Sequence, residues 1–406
     1  MTRAKPTVLV VSYFAPPQLN AEAILVWKTL RELASHFRLR LVTSDERAGS
    51  DARLQLPDAV DVIRSRTWKP TAYKPRRALE KLMGLVVDEN YLWAKATHLG
   101  ANESQCDVIY SRSQPGASHI LALGIKRRTG KPWIAQFSDP WANNPYHVHH
   151  TSRRKQFNQR MEQAVVEEAD VLIFPTAEIQ EMYERSYPAL PIAQKSVILP
   201  HHFTPELYPN AVARTPELVD KLVFSYLGDF YGARSPEPFL AGLHKAVAAE
   251  PAMAARTVVQ FFGNVEAKFA DLVAQSPVPV HRGRVSYLES LNMMRQADVL
   301  LLIDAPSANG RNPFLASKLI DYLGAGRRIL GITDEQGTAA DILRQHGHFV
   351  VSPRDIDGVE KGIRRCFFEF QSGVANQVAI PEEFTTQHVV GRLAELMERL
   401  LHKRQK

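Results

Sequence analysis

The fold is decided by the stretch DAPSANGRNPFLASKLIDYLGAGRRILG, residues 304–331. It follows an apolar run at 298–303 and leads into a second apolar run at 327–332. Between the two runs, apolar residues recur at helical spacing until Gly324 and Gly326, which predict the end of a helix. A strand, a helix and a strand in this order are typical of a parallel α/β sheet.

Asn312 and Pro313 predict where that helix begins, because an N-cap Asn followed by Pro at the first helical position is a strong start signal. Pro313, Ser317 and Asp321 recur every four residues, so we expect them to share one face. The residues expected to pack inward are Leu315, Leu319, Ile320 and Leu323. Free N–H groups and the positive dipole end at Asn312 predict an anion site suited to a diphosphate.

Three polar side chains of this helix suit such a site. Ser317 and Lys318 can reach phosphate oxygens, and Asp321 can accept hydrogen bonds from the two hydroxyls of a ribose. The alternative is a surface helix with a solvated pair between Lys318 and Asp321, three residues apart. Spacing alone gives the two interpretations even weight.

The same alternation of short apolar runs with helical segments covers the whole chain and predicts two doubly wound α/β domains. The predicted strands of the first are Thr7–Ser12, Arg38–Thr43, Asp61–Arg64, Asp107–Ser111, Trp133–Gln136 and Asp170–Phe174. Those of the second are Leu222–Leu227, Val258–Phe262, Val278–His281, Asp298–Ile303, Arg327–Ile332 and His348–Val351. Within the second, Ser286 and Glu289 stand three apart before an amphipathic run, which predicts a capping box.

These patterns set the expected domain bounds. We expect an N-terminal Rossmann-like domain at 1–200, a polar, Pro-containing linker at 201–220, and a C-terminal Rossmann-like domain at 221–383. Residues 384–406 predict a terminal helix that packs back on the body. Ligands of open α/β sheets bind outside the carboxyl ends of the strands, so two such domains are expected to face each other across a cleft.

Length and composition exclude several classes of protein. With 406 residues, 45% of them hydrophobic and 23% charged, the chain suits two folded cores rather than disorder. The apolar run near the N-terminus is too short for a signal peptide or a membrane span, which predicts a cytoplasmic protein. Cys106 and Cys366 give neither a disulfide framework nor a metal cluster. The missing G-x-G-x-x-G after Val11 argues against a dinucleotide oxidoreductase.

The net charge of +7 favours an anionic partner. Basic residues cluster between Arg64 and Lys81, followed by the apolar ALEKLMGLVV, and this segment predicts contact with an anionic membrane surface on the inner face of the cell membrane. The basic clusters lack interleaved aromatic residues, so nucleic acid is not expected as a partner.

SKLIDYLGAGRRILG, residues 317–331, is similar to the S-K-x-x-E-Y-L-A-x-G-x-P-V-x segment of the retaining, bacterial group 1 (GT4-like) glycosyltransferases of GT-B fold. The family's acidic residue binds the donor ribose, and Asp321 falls at its position. Pro313 and Phe314 stand where the family has its other acidic residue. YLGDFYGARSPEPFL, residues 226–240, resembles the family's first donor-domain strand, glycine turn and diphosphate-neutralising basic residue, here Gly228 and Arg234.

Two further segments carry the resemblance. FFGN at 261–264 and the following VHRGRVSYLESL resemble strands that frame the base and diphosphate, with Arg282 or Arg284 lining that pocket. The segment that ends in DPWANNP resembles the acceptor side of the family, and Asp139 and Trp141 fall on its D-x-W-type motif.

The resemblance implies a glycosyltransferase that moves a sugar from a nucleotide-sugar donor to a glycan or lipid-linked acceptor in polysaccharide or surface-glycan biosynthesis. It implies a retaining reaction and no metal or other cofactor. The candidate catalytic residues are Asp139, Arg234 and Lys318. The candidate donor-binding residues are Gly228, Arg234, Arg282, Asn312, Phe314, Leu315, Ser317, Lys318 and Asp321. Two alternatives stay open: a sugar-nucleotide epimerase of the same fold, and a non-catalytic nucleotide-sugar-binding protein.

Histidines gather at His147, His149 and His150 and again at His201 and His202. They have no flanking set of carboxylates or cysteines, so a transition-metal site is not expected. One of them, or His119, is a candidate to orient the acceptor.

Overall fold

A computed structural model describes residues 5–46, 51–66, 88, 90–102, 104–145, 151–210, 214–307, 310–373 and 377–403. The chain divides into two compact units. Unit 1 contains the residues up to His201 and those from Thr386 onward, and unit 2 is His202–Thr385.

In its described residues, unit 1 contains a sheet of seven parallel strands in the order β3-β2-β1-β4-β5-β6-β7. The strands are β1 (Thr7–Val11), β2 (Arg38–Ser44), β3 (Val60–Ser65), β4 (Val108–Ser113), β5 (Trp133–Phe137), β6 (Val171–Phe174) and β7 (Ser196–Ile198). The helices that alternate with them are α1 (Ala21–His36), α2 (Tyr91–Ala96), α3 (Ala117–Thr129), α4 (Ser152–Glu168), α5 (Ala177–Ser186) and α6 (Ile192–Lys195). The six predicted strands overlap β1 to β6, and β7 has no counterpart among them.

The sheet of unit 1 is buried on both faces. Val8 and Val10 of β1 point into one apolar cluster, whereas Leu9 and Val11 point into another. Such continuous apolar runs are typical of parallel strands covered by helices on both sides. The strand order reverses between β1 and β4, which pair in parallel, and a ligand site of this fold lies at such a switch point.

In its described residues, unit 2 contains a sheet of six parallel strands in the order β10-β9-β8-β11-β12-β13. The strands are β8 (Leu222–Leu227), β9 (Thr257–Phe262), β10 (Val280–Gly283), β11 (Val299–Ile303), β12 (Arg328–Ile332) and β13 (Phe349–Val351). The helices are α7 (Glu237–Ala249), α8 (Ala252–Arg256), α9 (Ala270–Ala274), α10 (Tyr287–Gln296), α11 (Ser317–Ala325), α12 (Thr338–Gln345) and α13 (Ile356–Gln371). All six predicted strands are present, with β10 shifted by two residues. The capping box at Ser286 and Glu289 begins α10, as predicted.

The predicted start of α11 at Asn312 is wrong, because the helix begins at Ser317. The Asn312 backbone N–H donates to the Gln336 carbonyl oxygen at 3.2 Å, and its side-chain oxygen accepts from the Phe314 N–H at 3.0 Å. That local turn holds the chain outside the helix. Ala316 is therefore the N-cap residue and provides no side-chain cap. Pro313 lies outside α11, so only Ser317 and Asp321 share the predicted face.

The segment expected to link the two domains belongs largely to unit 2. Phe203 is fully buried and Tyr208 nearly so, in the cluster that contains the inner face of α11. A side chain at Gly324 would collide with both rings, so the helix and this segment approach closely.

The last helix, α14 (Thr386–Lys403), belongs to unit 1. Val389, Leu393 and Met397 share a buried cluster with Val26 and Leu30 of α1. The apolar residues of α14 recur at helical spacing, which gives the helix one face to bury on α1.

Candidate active site

Glycines end three neighbouring strands at the carboxyl edge of unit 2. Gly228 follows β8, Gly263 follows β9 and Gly283 closes β10. The Gly228 N–H donates to the Phe262 carbonyl oxygen at 2.8 Å, and the Gly263 N–H donates to that of Gly283 at 2.9 Å. A Cβ on Gly263 would collide with the Gly228 carbonyl oxygen, and φ is positive at both residues. Gly228 and Gly263 are therefore positions at which this edge of the sheet requires glycine.

Lys318, the second residue of α11, extends over this edge. Its Nζ donates to the Tyr226 hydroxyl at 2.9 Å and lies 4.2 Å from the ring centroid. Burial and the positive charge of Arg234 lower the pKa of Lys318 to about 7. A Cβ on Gly228 would displace the Lys318 Nζ, and the φ of +142° at Gly228 itself favours glycine. Within the described residues, Lys318 forms no ion pair with Asp321, so the surface-pair alternative is not what the structure adopts.

Tyr226 is fixed from both sides. It lies in β8, and its ring stacks on Phe230 with 4.0 Å between centroids. Its hydroxyl donates to the Asp229 carbonyl oxygen at 3.1 Å, which leaves oxygen lone pairs for Lys318. Lys318 is thus held by a rigid phenol rather than by a carboxylate.

Arg234 lies in the loop that follows β8 and is oriented by Tyr231. Its Nη1 donates to the Tyr231 hydroxyl at 3.3 Å, and its guanidinium carbon lies 5.3 Å from the ring centroid. Its Nη2 lies 3.8 Å from Oδ1 of Asp304, the first residue after β11. The two sides of the switch point therefore bring Arg234, Lys318 and Asp304 together.

Asp304 is a site residue that the sequence patterns did not single out. Its carboxyl group is 6% exposed, and Oδ2 accepts from the Thr333 hydroxyl at 3.0 Å. Burial raises the pKa of Asp304, whereas the positive charges of Arg234 and Lys318 lower it. An Asp directly after a buried apolar strand is the signal that marks this position in the sequence.

Asp321 is buried on α11 one turn after Ser317. Its Oδ1 accepts from the Tyr287 hydroxyl at 3.2 Å, and its backbone carbonyl accepts from the Tyr208 hydroxyl at 2.8 Å. Burial, followed by the nearby Asp321 charge, raises the pKa of Tyr287. The protonated phenol orients the carboxylate.

The other residues predicted to bind the sugar donor vary in burial and position. Asn312 is buried in the turn described above, and Leu315 is a core residue, so its side chain is not available to a ligand. Phe314 is half-buried between them. Arg282 is exposed on the edge strand β10, two strands from β8, and Arg284 donates to the Asn264 side chain at 3.2 Å. The contacts of unit 2 thus join Gly228, Arg234 and Lys318 and leave Arg282 apart.

The switch point of unit 1 holds a buried ion pair. Arg112 in β4 donates from Nε to Glu22 of α1 at 2.8 Å, and its side chain is 2% exposed. Ser138, directly after β5, donates to the other Glu22 oxygen at 2.7 Å. Weaker contacts at 3.4 Å link Arg112 to Thr29 and Tyr110. The protein itself neutralises this cation.

Asp139 follows Ser138 and lies beside this network. Burial, followed by the negative charge of Glu22, raises the pKa of Asp139 to about 7. None of the hydrogen bonds or ion pairs within the described residues involves its carboxyl group. A carboxyl group that is desolvated and has no protein partner is suited to accept a proton from a ligand near neutral pH.

Trp141 anchors the turn that presents Asp139. Its indole N–H donates to the Asn158 side chain at 2.8 Å, and the ring packs so closely on Gly116 that a Cβ there would overlap it. The Ala142 N–H donates to buried Glu162 at 3.1 Å. Trp141 therefore has a structural role in this motif.

The three candidate histidines that the structure describes, His119, His201 and His202, are buried. His119 Nδ1 lies 2.8 Å from the Ser111 hydroxyl, and burial lowers the pKa of His119 to about 3. His201 and His202 are also buried, and burial lowers the pKa of His201 to about 3. The other three candidates, His147, His149 and His150, lie outside the described residues. Within the part of the chain that the structure describes, no three His, Cys, Asp or Glu side chains are grouped to hold a metal ion.

Both cysteines are core residues. Cys106 and Cys366 are buried, and desolvation raises the pKa of each thiol, that of Cys106 to about 11. No helix in the described residues is long and apolar enough to cross a membrane. Of the basic segment between Arg64 and Lys81, only the residues up to Arg66 lie within the described part.

A family model described as a glycosyl transferase 4-like domain matches residues 24–195. No curated protein matches the chain. Among solved structures, Anabaena HepE in complex with UDP-glucose is 12% identical, with a TM-score of 0.63 over 97% of this chain and 100% of that one. An E. coli trehalose-6-phosphate protein bound with UDP-2-fluoro glucose is 12% identical, with a TM-score of 0.62 over 98% and 97%.

A third solved structure, α,α-trehalose 6-phosphate synthase from Burkholderia multivorans, is 11% identical, with a TM-score of 0.62 over 99% of this chain and 98% of that one. At these identities the likeness shows the fold. The chain has the GT-B fold, with two α/β units built on parallel sheets.

Proposed function

We propose that the chain is a glycosyltransferase that binds a nucleotide-sugar donor at the switch point of unit 2. The observation that carries the proposal is the convergence of Arg234 and Lys318 at the carboxyl ends of β8 and β11. The glycosyl transferase 4-like match and the GT-B fold agree with it.

The charges at this edge suit a diphosphate leaving group. Glycosyl transfer builds negative charge on the phosphate next to the sugar, and donors fixed in advance lower that barrier most. The planar guanidinium of Arg234 can bind two phosphate oxygens at once. Lys318 gains a proton when an anion approaches, because its lowered pKa lies close to neutral pH. The two cations would together do the work of a metal ion, which supports a metal-independent reaction.

Asp321 would bind the ribose of the donor. Its carboxylate is oriented by Tyr287, and it shares a helix face with Ser317. The uncapped first turn of α11 adds backbone N–H donors for phosphate oxygens. Two structural neighbours hold UDP-glucose or a UDP-linked analogue, so UDP-sugars are the first donors to test.

Asp139 would position the acceptor hydroxyl or take up its proton. This role is supported by its raised pKa and by the lack of a hydrogen bond or ion pair to its carboxyl group within the described residues. We extend the proposal to a glycan or lipid-linked acceptor, to polysaccharide or surface-glycan assembly, and to retention of the anomeric configuration.

A lipid-linked acceptor would require the protein to reach a membrane surface, and the basic segment between Arg64 and Lys81 suits that contact. Liposomes that contain acidic lipids should bind the protein at low salt, whereas neutral liposomes should not. Equal binding to both would contradict this part of the proposal.

Calorimetry with UDP-, GDP- and ADP-linked sugars tests the donor site. Wild type should bind at least one of them, and Lys318→Ala should weaken that binding. Lys245→Ala is the matched control, because Lys245 is an exposed lysine of unit 2 that pairs with Asp357. Binding to none of the donors, or equal loss in both variants, would contradict the proposal. A turnover assay with several acceptors then separates transfer from isomerisation and from binding alone.

A further inference from the structure

Two aspartates flank strand β11, one at each end, and their surroundings differ. Asp298, before the strand, accepts from the Val223 N–H at 2.9 Å and from Arg214 at 2.6 Å. Both of its oxygens thus have close structural partners. Asp304, after the strand, accepts from Thr333 on Oδ2, whereas the one partner of Oδ1 among the described residues is Arg234, at 3.8 Å.

That distance exceeds a hydrogen bond, although it is within ion-pair range. Asp304 therefore does little to hold the strand end through Oδ1. It places a negative charge among the two cations on which the proposed donor site depends, since both Arg234 and Lys318 interact electrostatically with it. A carboxylate in a diphosphate site opposes the ligand, because like charges repel strongly where water is excluded.

We propose that Asp304 is an internal competitor of the diphosphate. It serves as the counter-anion of Arg234 and Lys318 while the site is empty, and it limits the affinity for the nucleoside diphosphate product. This inference rests on the proposed donor site and adds a release function to it.

The geometry indicates that Asp304 competes with the diphosphate for the two cations rather than simply supporting the fold. Arg234 reaches Asp304 from a loop anchored by an exposed aromatic residue, Tyr231, so its guanidinium can turn from the carboxylate to a phosphate without disturbing β8. Lys318 is held by the uncharged Tyr226 hydroxyl rather than by Asp304, so its charge is also available to the ligand. Bound diphosphate would then leave the Asp304 carboxylate with reduced compensation, which favours dissociation.

Substitution Asp304→Asn tests the competition, because it keeps the shape and an oxygen for Thr333 but removes the charge. Titration calorimetry with UDP, GDP, ADP and inorganic pyrophosphate would give the dissociation constants. For each probe that wild type binds, Asp304→Asn should bind at least roughly tenfold more tightly, which is about one unit of log affinity. The matched control, Asp298→Asn, should keep the wild-type affinity. Substitution of a residue that only supports the fold would leave binding unchanged or weaken it, so a gain in affinity is specific to competition.

A double variant locates the effect. In an Arg234→Ala background, Asp304→Asn should give a smaller gain, because one of the two competing interactions is absent. Asp304→Ser, which removes the charge with a smaller side chain, must also tighten binding, and it replaces Asp304→Asn if that variant does not fold.

The outcomes separate the two proposals. If wild type binds a nucleoside diphosphate and Arg234→Ala binds it more weakly, the proposed donor site is supported. Unchanged or weaker binding by Asp304→Asn and Asp304→Ser would then overturn the competition alone. If wild type binds none of the four probes, the donor site and the inference fall together.

Discussion

The two units share a sheet topology that reverses next to its first strand, yet their switch points treat positive charge in opposite ways. In unit 1, Arg112 is 2.8 Å from Glu22 and is almost wholly buried. In unit 2, Arg234 is 3.8 Å from Asp304, and Lys318 is held by a phenol. The fold determines where a site can lie, and the side chains at the edge decide whether the protein or a ligand neutralises the cations.

The difference has an energetic basis. A buried ion pair is tolerated only if both charges keep close hydrogen-bonding partners, and Glu22 has them in Arg112 and Ser138. In unit 2, Arg234 lies 3.8 Å from Asp304 and Lys318 donates to an uncharged hydroxyl, so a bound diphosphate would bring negative charge closer to both cations. Substitutions should therefore damage stability in unit 1 and binding in unit 2.

The largest effect is expected from Arg112→Met. It leaves the Glu22 carboxylate buried without its cation, which should lower the free energy of unfolding of unit 1 by about 3–5 kcal/mol. Denaturant unfolding followed by tryptophan fluorescence would measure the change, since Trp27, Trp93, Trp133 and Trp141 all lie in unit 1. A loss below about 1 kcal/mol would show that the pair is not the structural element described here.

Arg234→Met should have the opposite effect: it should weaken donor binding and leave stability nearly unchanged. It removes charge-assisted hydrogen bonds to the diphosphate, each worth about 1.5–3 kcal/mol, so donor affinity should fall roughly 10- to 150-fold. The free energy of unfolding should be nearly unchanged, because the Arg234 side chain is partly exposed and lies in a loop. Calorimetry with the preferred donor measures the first effect, and the same denaturant series measures the second. A variant that unfolds more easily but binds normally would contradict the assignment.

The pKa of Lys318 predicts how donor binding depends on pH. Below about pH 7 the ammonium form is already present in the empty site. Above that value, binding must first restore the proton, so affinity should fall by up to about tenfold per pH unit. Lys318→Arg, which stays protonated, should flatten this dependence. A wild-type affinity that is constant from pH 6 to 9 would contradict a pKa of about 7 for Lys318 in the empty site.

In unit 1, the raised pKa of Asp139 predicts a pH dependence of turnover with the opposite sign. Its carboxyl group must be ionised to accept a proton, and burial raises its pKa to about 7. Turnover at saturating donor should therefore fall by up to about tenfold per pH unit below that value. Asp139→Asn should abolish this pH dependence along with most of the activity. Unchanged turnover in that variant would end the role proposed for this residue.

Tyr226→Phe should have the smallest effect. It keeps the ring against Lys318 but removes the hydroxyl that accepts its hydrogen bond at 2.9 Å. Loss of one hydrogen bond typically costs about 0.5–1.5 kcal/mol, so donor affinity should fall by roughly two- to tenfold. Calorimetry against wild type measures it, and a loss as large as that of Arg234→Met would show that the phenol itself contacts the ligand.

The sequence predicted the sheets well, because buried parallel strands are continuous apolar runs that a linear pattern reveals. It placed the start of α11 wrongly at Asn312, since the same residue can cap a helix or close a local turn with Phe314. Lys318 and Asp321 were predicted from the helical spacing, and Arg234 was predicted from the resemblance to a glycosyltransferase segment. Asp304 did not, because its meeting with Arg234 depends on the loops after β8 and β11 sharing one edge of the sheet.

The most direct test is a crystal structure of the chain with the nucleotide sugar or nucleoside diphosphate that binds most tightly. The diphosphate should lie at the carboxyl ends of β8 and β11, with Arg234 and Lys318 within hydrogen-bond distance of its oxygens and Asp321 at the ribose. A nucleotide bound instead at the edge of unit 1, beside Arg112, would contradict the assignment of the donor site to unit 2.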